Sequence, residues 1–339
     1  MKAVTIADVA AHAKVSKSTV SQYLNKRYDR MREDTKLRVE EAIKELGYRP
    51  NIVARSLKQK STSTIGVIVA NILHNFSTQV IRAIEDVCNE TGFHIIVCNA
   101  DDDPEKEKKY IEMLQAKQVD GLIILPTGNN VELYKQMVKD RYPIVFVDRL
   151  VHDLPITSVL LDNEKAARLA VQHLIDNGYD RIGIVTNVVR NVTPRMERIK
   201  GYKKTLEENG IPVDEDLIKS MDVNGIQAAL AGMFTTESAP NAILATNDLT
   251  LIEVLKYVKN NQMNIPQDLA VVGIDEVSFA GIYEPAITTV AQPTFEMGKA
   301  AAEHLLNKIQ HKEEEEEAKV LRFEPRLIVR KSTVRGLRI

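Results

Sequence analysis

The amino-acid sequence predicts an α/β protein built in unequal parts. A short all-α head covers residues 1–49, a connector covers 50–63, and a core of two parallel-sheet lobes covers 64–339. Three observations predict it. Small apolar residues recur at helical spacing through the head, with no strand-like run among them. From Thr64 onward, short apolar runs alternate with amphipathic helical stretches, and the scheme restarts once, near Val159. The charge divides at the same place: residues 1–60 hold 14 Lys and Arg against 7 Asp and Glu, a net of +7 in a chain of net −2, so residues 61–339 carry −9.

In the head, Ile6, Val9, Ala10 and Ala13 mark a first helix over Ile6 to Ala13. A turn follows at Lys14-Val15, and Ser16 is a good N-cap because its hydroxyl can accept a bond from a free backbone N–H. From Lys17 to Leu24, Val20, Tyr23 and Leu24 face inward, leaving Lys17, Ser18, Ser21, Gln22 and Asn25 outside. All five can hydrogen-bond and only one is charged, which is what reading base edges requires. A merely solvated helix face has the same look in isolation. The basic balance of the head points instead to phosphates, and two short helices across a tight turn fit the major groove of DNA. A third helix spans Glu33 to Leu46, with Leu37, Val39, Ala42, Ile43 and Leu46 inward. Gly47 suits the left-handed residue that ends it, while Arg32 is a poor cap for its start.

Pro50 to Leu57 reads as an eight-residue helix that is marginal alone, because helix nucleation is costly. Taken without the head, the segment fits an ordinary linker, with Leu57 packed on the core, better; the head tips it toward the helix. Lys58 to Ser63 is a polar joint.

The core opens on Ile65 to Val69, an unbroken apolar run of the kind buried on both faces of a sheet. Helix Gln79–Thr91, strand Ile95–Cys98, helix Lys106–Lys117, strand Gly121–Leu125, helix Leu133–Lys139 and strand Ile144–Val147 follow. The second series runs from Val159–Leu161 through helix 164–177, strand Ile182–Val185, helix 196–209, a strand near Ile218 and a helix at 225–234. Strand Ala242–Ala245, helix 249–260, strand Ala270–Ile274, helix 295–310 and strand-like Leu327–Val329 complete it. So long a stretch exceeds a usual single core, so two open sheets in tandem are expected. Ligands bind such sheets beyond the carboxyl ends of the strands, and a cleft between two sheets can close on a small molecule. At those ends stand His74 to Ser77, Asp148-Arg149, Asn247-Asp248 and Asp275, with Arg195 to Tyr202 opening a helix. Carboxylates and amides take sugar hydroxyls, and a guanidinium forks onto a carboxylate. Asn247-Asp248 can equally cap helix 249–260, and Arg195 can be a surface ion pair. Taken as a ligand group, Arg195 calls for an anion such as a sugar acid.

The head residues from Thr5 to Asn51, and with them nearly the whole chain, resemble the lactose/galactose repressor family. The resemblance implies a helix-turn-helix headpiece on a periplasmic-binding-protein-like core whose halves exchange segments, here 64–161 plus 291–320 and 162–290 plus 321–339. It implies base contacts from Lys17, Ser18 and Gln22, and phosphate contacts from Thr5, Ser16, Thr19, Ser21 and Asn25. It implies a hinge helix, Asn51, Ala54 and Leu57, with Leu57 wedged into the minor groove. It places Arg198, Asn247 and Asp275 in an effector pocket, with Phe76, Thr127 and Asp148 on the other lobe. Gln22 departs from the family's usual Arg there and favours adenine over guanine. The implied function is a transcriptional repressor of carbohydrate catabolism that binds near-palindromic operator DNA and is released by a sugar or sugar acid, 2-keto-3-deoxygluconate among them. A corepressor of opposite sign uses the same parts.

The remaining features narrow the field. No apolar run approaches a membrane span, and Met1-Lys2-Ala3 opens straight into the headpiece without a secretory signal, which argues for the cytoplasm and against a periplasmic sugar receptor. Cys88 and Cys98 are expected as separate buried thiols. No Cys/His cluster, phosphate-cradling Gly loop or catalytic pair is evident, so neither cofactor nor enzyme activity is expected. Glu313 to Glu317 reads as a solvated turn, and the short tail after Val329 favours a homodimer.

Overall fold

The computed structural model describes residues 4–29, 31–49, 61–235, 239–311 and 317–334. The chain divides into two compact units, Met1–Thr62 and Ser63–Ile339. The hinge residues Asn51, Ala54 and Leu57, and the acids up to position 316, lie outside the described residues.

The first unit contains α1 (Ile6–His12), α2 (Lys17–Leu24) and α3 (Glu33–Leu46). They close over Val9, Ala10, Ala13, Val20, Val39 and Ala42, with Ile6, Tyr23, Leu24, Ile43 and Leu46 packed around them. Local chemistry sets each helix end. Thr5 and Asp8 form a reciprocal capping box on α1, Ser16 accepts from the Thr19 N–H at 3.1 Å on α2, and Gly47 ends α3 at φ 59°. Arg32 caps α3 with no side-chain bond, as its chemistry predicts. Leu37 departs from expectation: it is 53% exposed. It stands two residues, about 200° of helix rotation, from Val39, so both cannot face one core.

The second unit follows in order: β1 (Thr64–Val69), α4 (Asn75–Glu90), β2 (His94–Asn99), α5 (Pro104–Ala116), β3 (Gly121–Ile124), α6 (Val131–Lys139), β4 (Ile144–Val147) and β5 (Ser158–Leu161). Next come α7 (Asn163–Asp176), β6 (Ile182–Thr186), α8 (Thr193–Glu208), β7 (Ile218–Ser220), α9 (Ile226–Phe234), β8 (Ala242–Ala245), α10 (Asp248–Asn260), β9 (Ala270–Ile274) and β10 (Thr288–Ala291). The unit ends with α11 (Thr294–Gln310), β11 (Val320–Phe323) and β12 (Arg326–Ile328). The strands form two six-stranded sheets, β11-β5-β4-β3-β1-β2 and β12-β10-β9-β8-β6-β7. Within these sheets only the β10–β12 pair is antiparallel.

The chain passes between the lobes three times: after β5, after β10 and after β11. The last two crossings differ from the expected boundaries. Ala291 still pairs with Arg326 in the carboxyl sheet, and Val320–Phe323 pairs in full with Ser158–Leu161 of the amino sheet. The amino lobe therefore keeps the chain through Phe323. Two helices begin three or more residues earlier than their periodicity predicts, α4 at Asn75 and α8 at Thr193. Pro194 starts α8, its missing N–H costing nothing in a first turn. The start of α4 is completed by the other lobe: the Asn75 N–H donates to the Asp248 carboxylate at 2.6 Å, and no side-chain cap comes from His74. Glycine sets two close helix approaches. A Cβ at Gly201 would strike the Glu164 carbonyl of α7, and one at Gly298 would strike the backbone of Val80 on α4. Cys88 and Cys98 are both buried free thiols, and burial pushes Cys88 up to about 11.

Candidate functional site

On α2 the five hydrogen-bonding residues lie where sequence placed them. Lys17, Ser18 and Gln22 are exposed, and Thr19, Ser21 and Asn25 are half-buried. At about 100° per residue, positions 17, 18, 21, 22 and 25 fall within an arc of about 140°. Several of the implied phosphate-contacting groups also shape the helix ends. Thr5 donates its hydroxyl to Asp8 at 2.7 Å, Ser16 meets both Ser18 and Thr19, and Asn25 donates to the Ser21 carbonyl at 2.8 Å. The first turn of α2 carries no acid, which leaves its free N–H groups open to an anion.

In the second unit a cleft lies beyond the carboxyl ends of both sheets. The amino lobe contributes Asn71, His74, Phe76, Ser77, Asp148 and Arg149, and the carboxyl lobe contributes Arg195, Arg198, Asn247, Asp275 and Gln292. Six of the seven residues expected there are thus brought together. Thr127 is not one of them. Its N–H donates to Glu107 at 2.6 Å, a buried carboxylate that also accepts from Asn130 and Tyr134, and this knot turns the loop away from the cleft. The free space among the lining residues is about 50 Å³, little more than one or two waters occupy. The lobes are drawn together by contacts across it. His74 Nδ1 lies 2.6 Å from Asp248 Oδ1, Asn75 donates to the Glu276 carbonyl at 3.1 Å, and Leu150 N–H donates to Thr193 at 3.0 Å.

Each cleft side chain is held from behind. Arg198 is 5% exposed and donates its Nε to Asn163 at 2.8 Å and Nη1 to the Thr246 carbonyl at 2.5 Å. Asn247 does both things its sequence allowed: its oxygen caps α10 through Thr250 N–H at 2.9 Å, and its amide donates to Asn187 at 2.6 Å while lining the cleft. Arg195 is no surface ion pair. Its side chain is 13% exposed and it reaches across the lobes to Asp102 at 3.3 Å. Gln292 donates to Asp275 at 2.5 Å and leaves its own buried carbonyl oxygen without a partner.

Burial dominates the electrostatics. It pushes the carboxyls of Asp148 and Asp275 above the usual range, against the pull of Arg198 and, at Asp148, of Arg149. Asp102 and Asp248 go the other way: burial alone would raise them, but Arg149 and Arg195 hold Asp102 down, and His74 with backbone N–H groups holds Asp248 down. Asp102, Asp248, Arg149 and Gln292 carry much of this network, and none of the four belongs to the set that the resemblance assigned to the effector. Arg149 and Asp248 already stood in the sequence among the strand-end residues, beside Asp148 and Asn247. Asp102 and Gln292 left no local signal.

A small basic head with a hydrogen-bonding helix face, on a core whose two sheets converge on a polar cleft, defines a DNA-binding transcriptional regulator with a ligand-sensing core. The comparisons agree. The chain belongs to the LacI family of bacterial regulatory proteins: residues 5–51 match the model "Bacterial regulatory proteins, lacI family", and residues 62–330 match "Periplasmic binding proteins and sugar binding domain of LacI family". It is 50% identical to the probable HTH-type transcriptional regulator EndR of Paenibacillus polymyxa over 98% of each chain. It is 33% identical to the regulator KdgR of Bacillus subtilis strain 168 over 97% of each. Its fold matches the Lac repressor dimer bound to operator and the anti-inducer ONPF, with a TM-score of 0.86 and 27% identity, covering 98% of this chain and all of the other. No helix among the described residues is long and apolar enough to cross a membrane.

Proposed function

We propose that the chain is a repressor of carbohydrate catabolism genes, acting in the cytoplasm as a homodimer on a near-palindromic operator and released from it by a small sugar or sugar acid. In this reading Lys17, Ser18 and Gln22 read bases, and Thr5, Ser16, Thr19, Ser21 and Asn25 hold phosphates. Asn51, Ala54 and Leu57 form the minor-groove hinge. Phe76, Asp148, Arg195, Arg198, Asn247 and Asp275 take the effector. It is a binding protein and not an enzyme. The observation that carries the reading is the cleft: one small space lined from both lobes by guanidinium, carboxyl and amide groups beside the phenyl ring of Phe76. A ligand held by both lobes favours one arrangement of them, and it shifts the DNA-bound population only by its differential affinity for the two states. A gel shift with full-length protein and DNA flanking its own gene tests this. Retardation at low salt that one sugar or sugar acid reverses supports it. Indifference of the protein to every genomic fragment overturns it, and retardation strengthened by the sugar reverses the sign to a corepressor.

A further inference from the structure

A carboxylate of the protein itself sits between two arginines that approach from opposite lobes. Asp102 accepts from Arg149 at 2.7 Å through one oxygen and from Arg195 at 3.3 Å through the other. Both guanidinium groups line the cleft and Asp102 does not. It reaches in from the loop after β2, its side chain 30% exposed, and both Asp101 and Asp102 have left-handed backbones at φ 53° and 56°. The Asp102 N–H donates to the Ala70 carbonyl at 2.7 Å, while its side chain stays partly open to solvent. Arg149 is the opposite case: it is 6% exposed, and its Nε is buried with no hydrogen-bond partner, the nearest carboxylate being Asp148 at 3.6 Å. A planar carboxylate seats on a guanidinium through two parallel N–H donors, so one donor of that fork stands unused.

We propose that Arg149 and Arg195 form an anion seat which Asp102 fills from within the protein, and that the carboxylate of a sugar acid displaces Asp102 from it. The inference rests on the sugar-sensor reading above and narrows its ligand to acids. The exchange trades one carboxylate for another, so the two cations never face each other unpaired. A neutral sugar cannot do this, because removing Asp102 without a replacement leaves buried charge uncompensated. Burial and the like charge of Arg149 pull Arg195 down from its usual range even with Asp102 between them, so the pair calls for an anion there. Displacing Asp102 also frees the loop after β2 and replaces a lobe-to-lobe contact with one through the ligand.

Thermal-shift titrations of the full-length protein at constant ionic strength test the exchange. The probes are D-glucuronate, D-galacturonate and D-gluconate, set against D-glucose, D-galactose and acetate. They are applied to wild type, to Asp102→Ala and to the double variant Asp102→Ala/Arg195→Gln. Removing the internal competitor should tighten binding of the carboxylates about tenfold in Asp102→Ala, leave the neutral sugars unmoved, and be lost in the double variant. The proposal is overturned if no carboxylate, acetate included, gains in Asp102→Ala, or if neutral sugars gain equally. A neutral sugar that releases operator DNA from wild type, with no gain for acids in Asp102→Ala, sinks the anion seat and leaves the sensor reading standing. A carboxylate gain in Asp102→Ala, in a wild-type protein whose DNA complex ignores every sugar and sugar acid, does the reverse.

Discussion

Asp148 and Asp275 occupy corresponding places in the two lobes. Each directly follows the strand that lies third in its sheet, β4 or β9. Each has a left-handed backbone, φ 69° and 89°, and each donates its N–H to the neighbouring strand, to Val159 at 2.9 Å and to Val290 at 3.0 Å. The two lobes thus present a carboxyl group to the same cleft by the same local device.

Burial raises both carboxyls, and this has a consequence for pH. A folded-state value above the unfolded one means that the native protein holds the proton longer. The stability from this group is fully present below the unfolded value, about pH 4, and is lost as pH rises through the folded value. Asp275→Asn keeps the oxygen that Gln292 donates to and removes the titration. The variant should melt higher than wild type at pH 7, and the gap should close by about pH 4. Calorimetry across that range checks it, and a variant less stable at neutral pH would contradict it.

Gln22→Arg tests the reading face of α2. Gln22 is exposed there beside Lys17 and Ser18. Arg prefers guanine where Gln prefers adenine, and a good bidentate pair discriminates by about 1–3 kcal/mol. Binding-site selection with the variant should recover a changed base at one position of each half-site. An unchanged preferred sequence would remove Gln22 from the base-reading set.

Asp248→Ala removes a contact between the lobes rather than a pocket residue. Its carboxylate meets His74 and caps the first N–H of α4. Loss of a cap costs about 0.5–2 kcal/mol, and the Asn75 part of that cost falls on the closed arrangement. Small-angle scattering of ligand-free protein should show a larger radius of gyration than wild type. No change would mean that other contacts suffice to hold the lobes.

Gly201→Ala drives α8 against the Glu164 backbone, which has no rotamer to yield. Overpacking of this kind costs about 1–3 kcal/mol. Urea unfolding should register the loss. Effector affinity should fall as well, since Arg198 stands less than one turn away on the same helix.

The strands were legible because β1, β3, β4, β6, β8 and β9 are buried on both faces and read as short unbroken apolar runs. The helix-turn-helix was legible because its caps, Ser16 and Gly47, are local. Other failures were decided by distant partners. The start of α4 hides from periodicity because its cap lies 173 residues away in Asp248. Strand β11 escaped because Val320 to Phe323 is half-exposed and pairs 162 residues back with Ser158 to Leu161. Thr127 stood at a suitable strand end, but its N–H is tied to the buried carboxylate of Glu107, 20 residues back, which no local pattern shows.

The shared start of α4 makes the amino end of one lobe's helix a part of the other lobe's surface. Separating the lobes therefore hands the Asn75 N–H over to water and leaves the Asp248 carboxylate with only the Leu249 N–H of its own helix, so the open form gives up these contacts before any metabolite arrives. The threshold at which such a sensor responds is then written partly at positions 75 and 248, outside the residues that line the cleft. Selection can adjust how readily the molecule responds there without altering what it responds to.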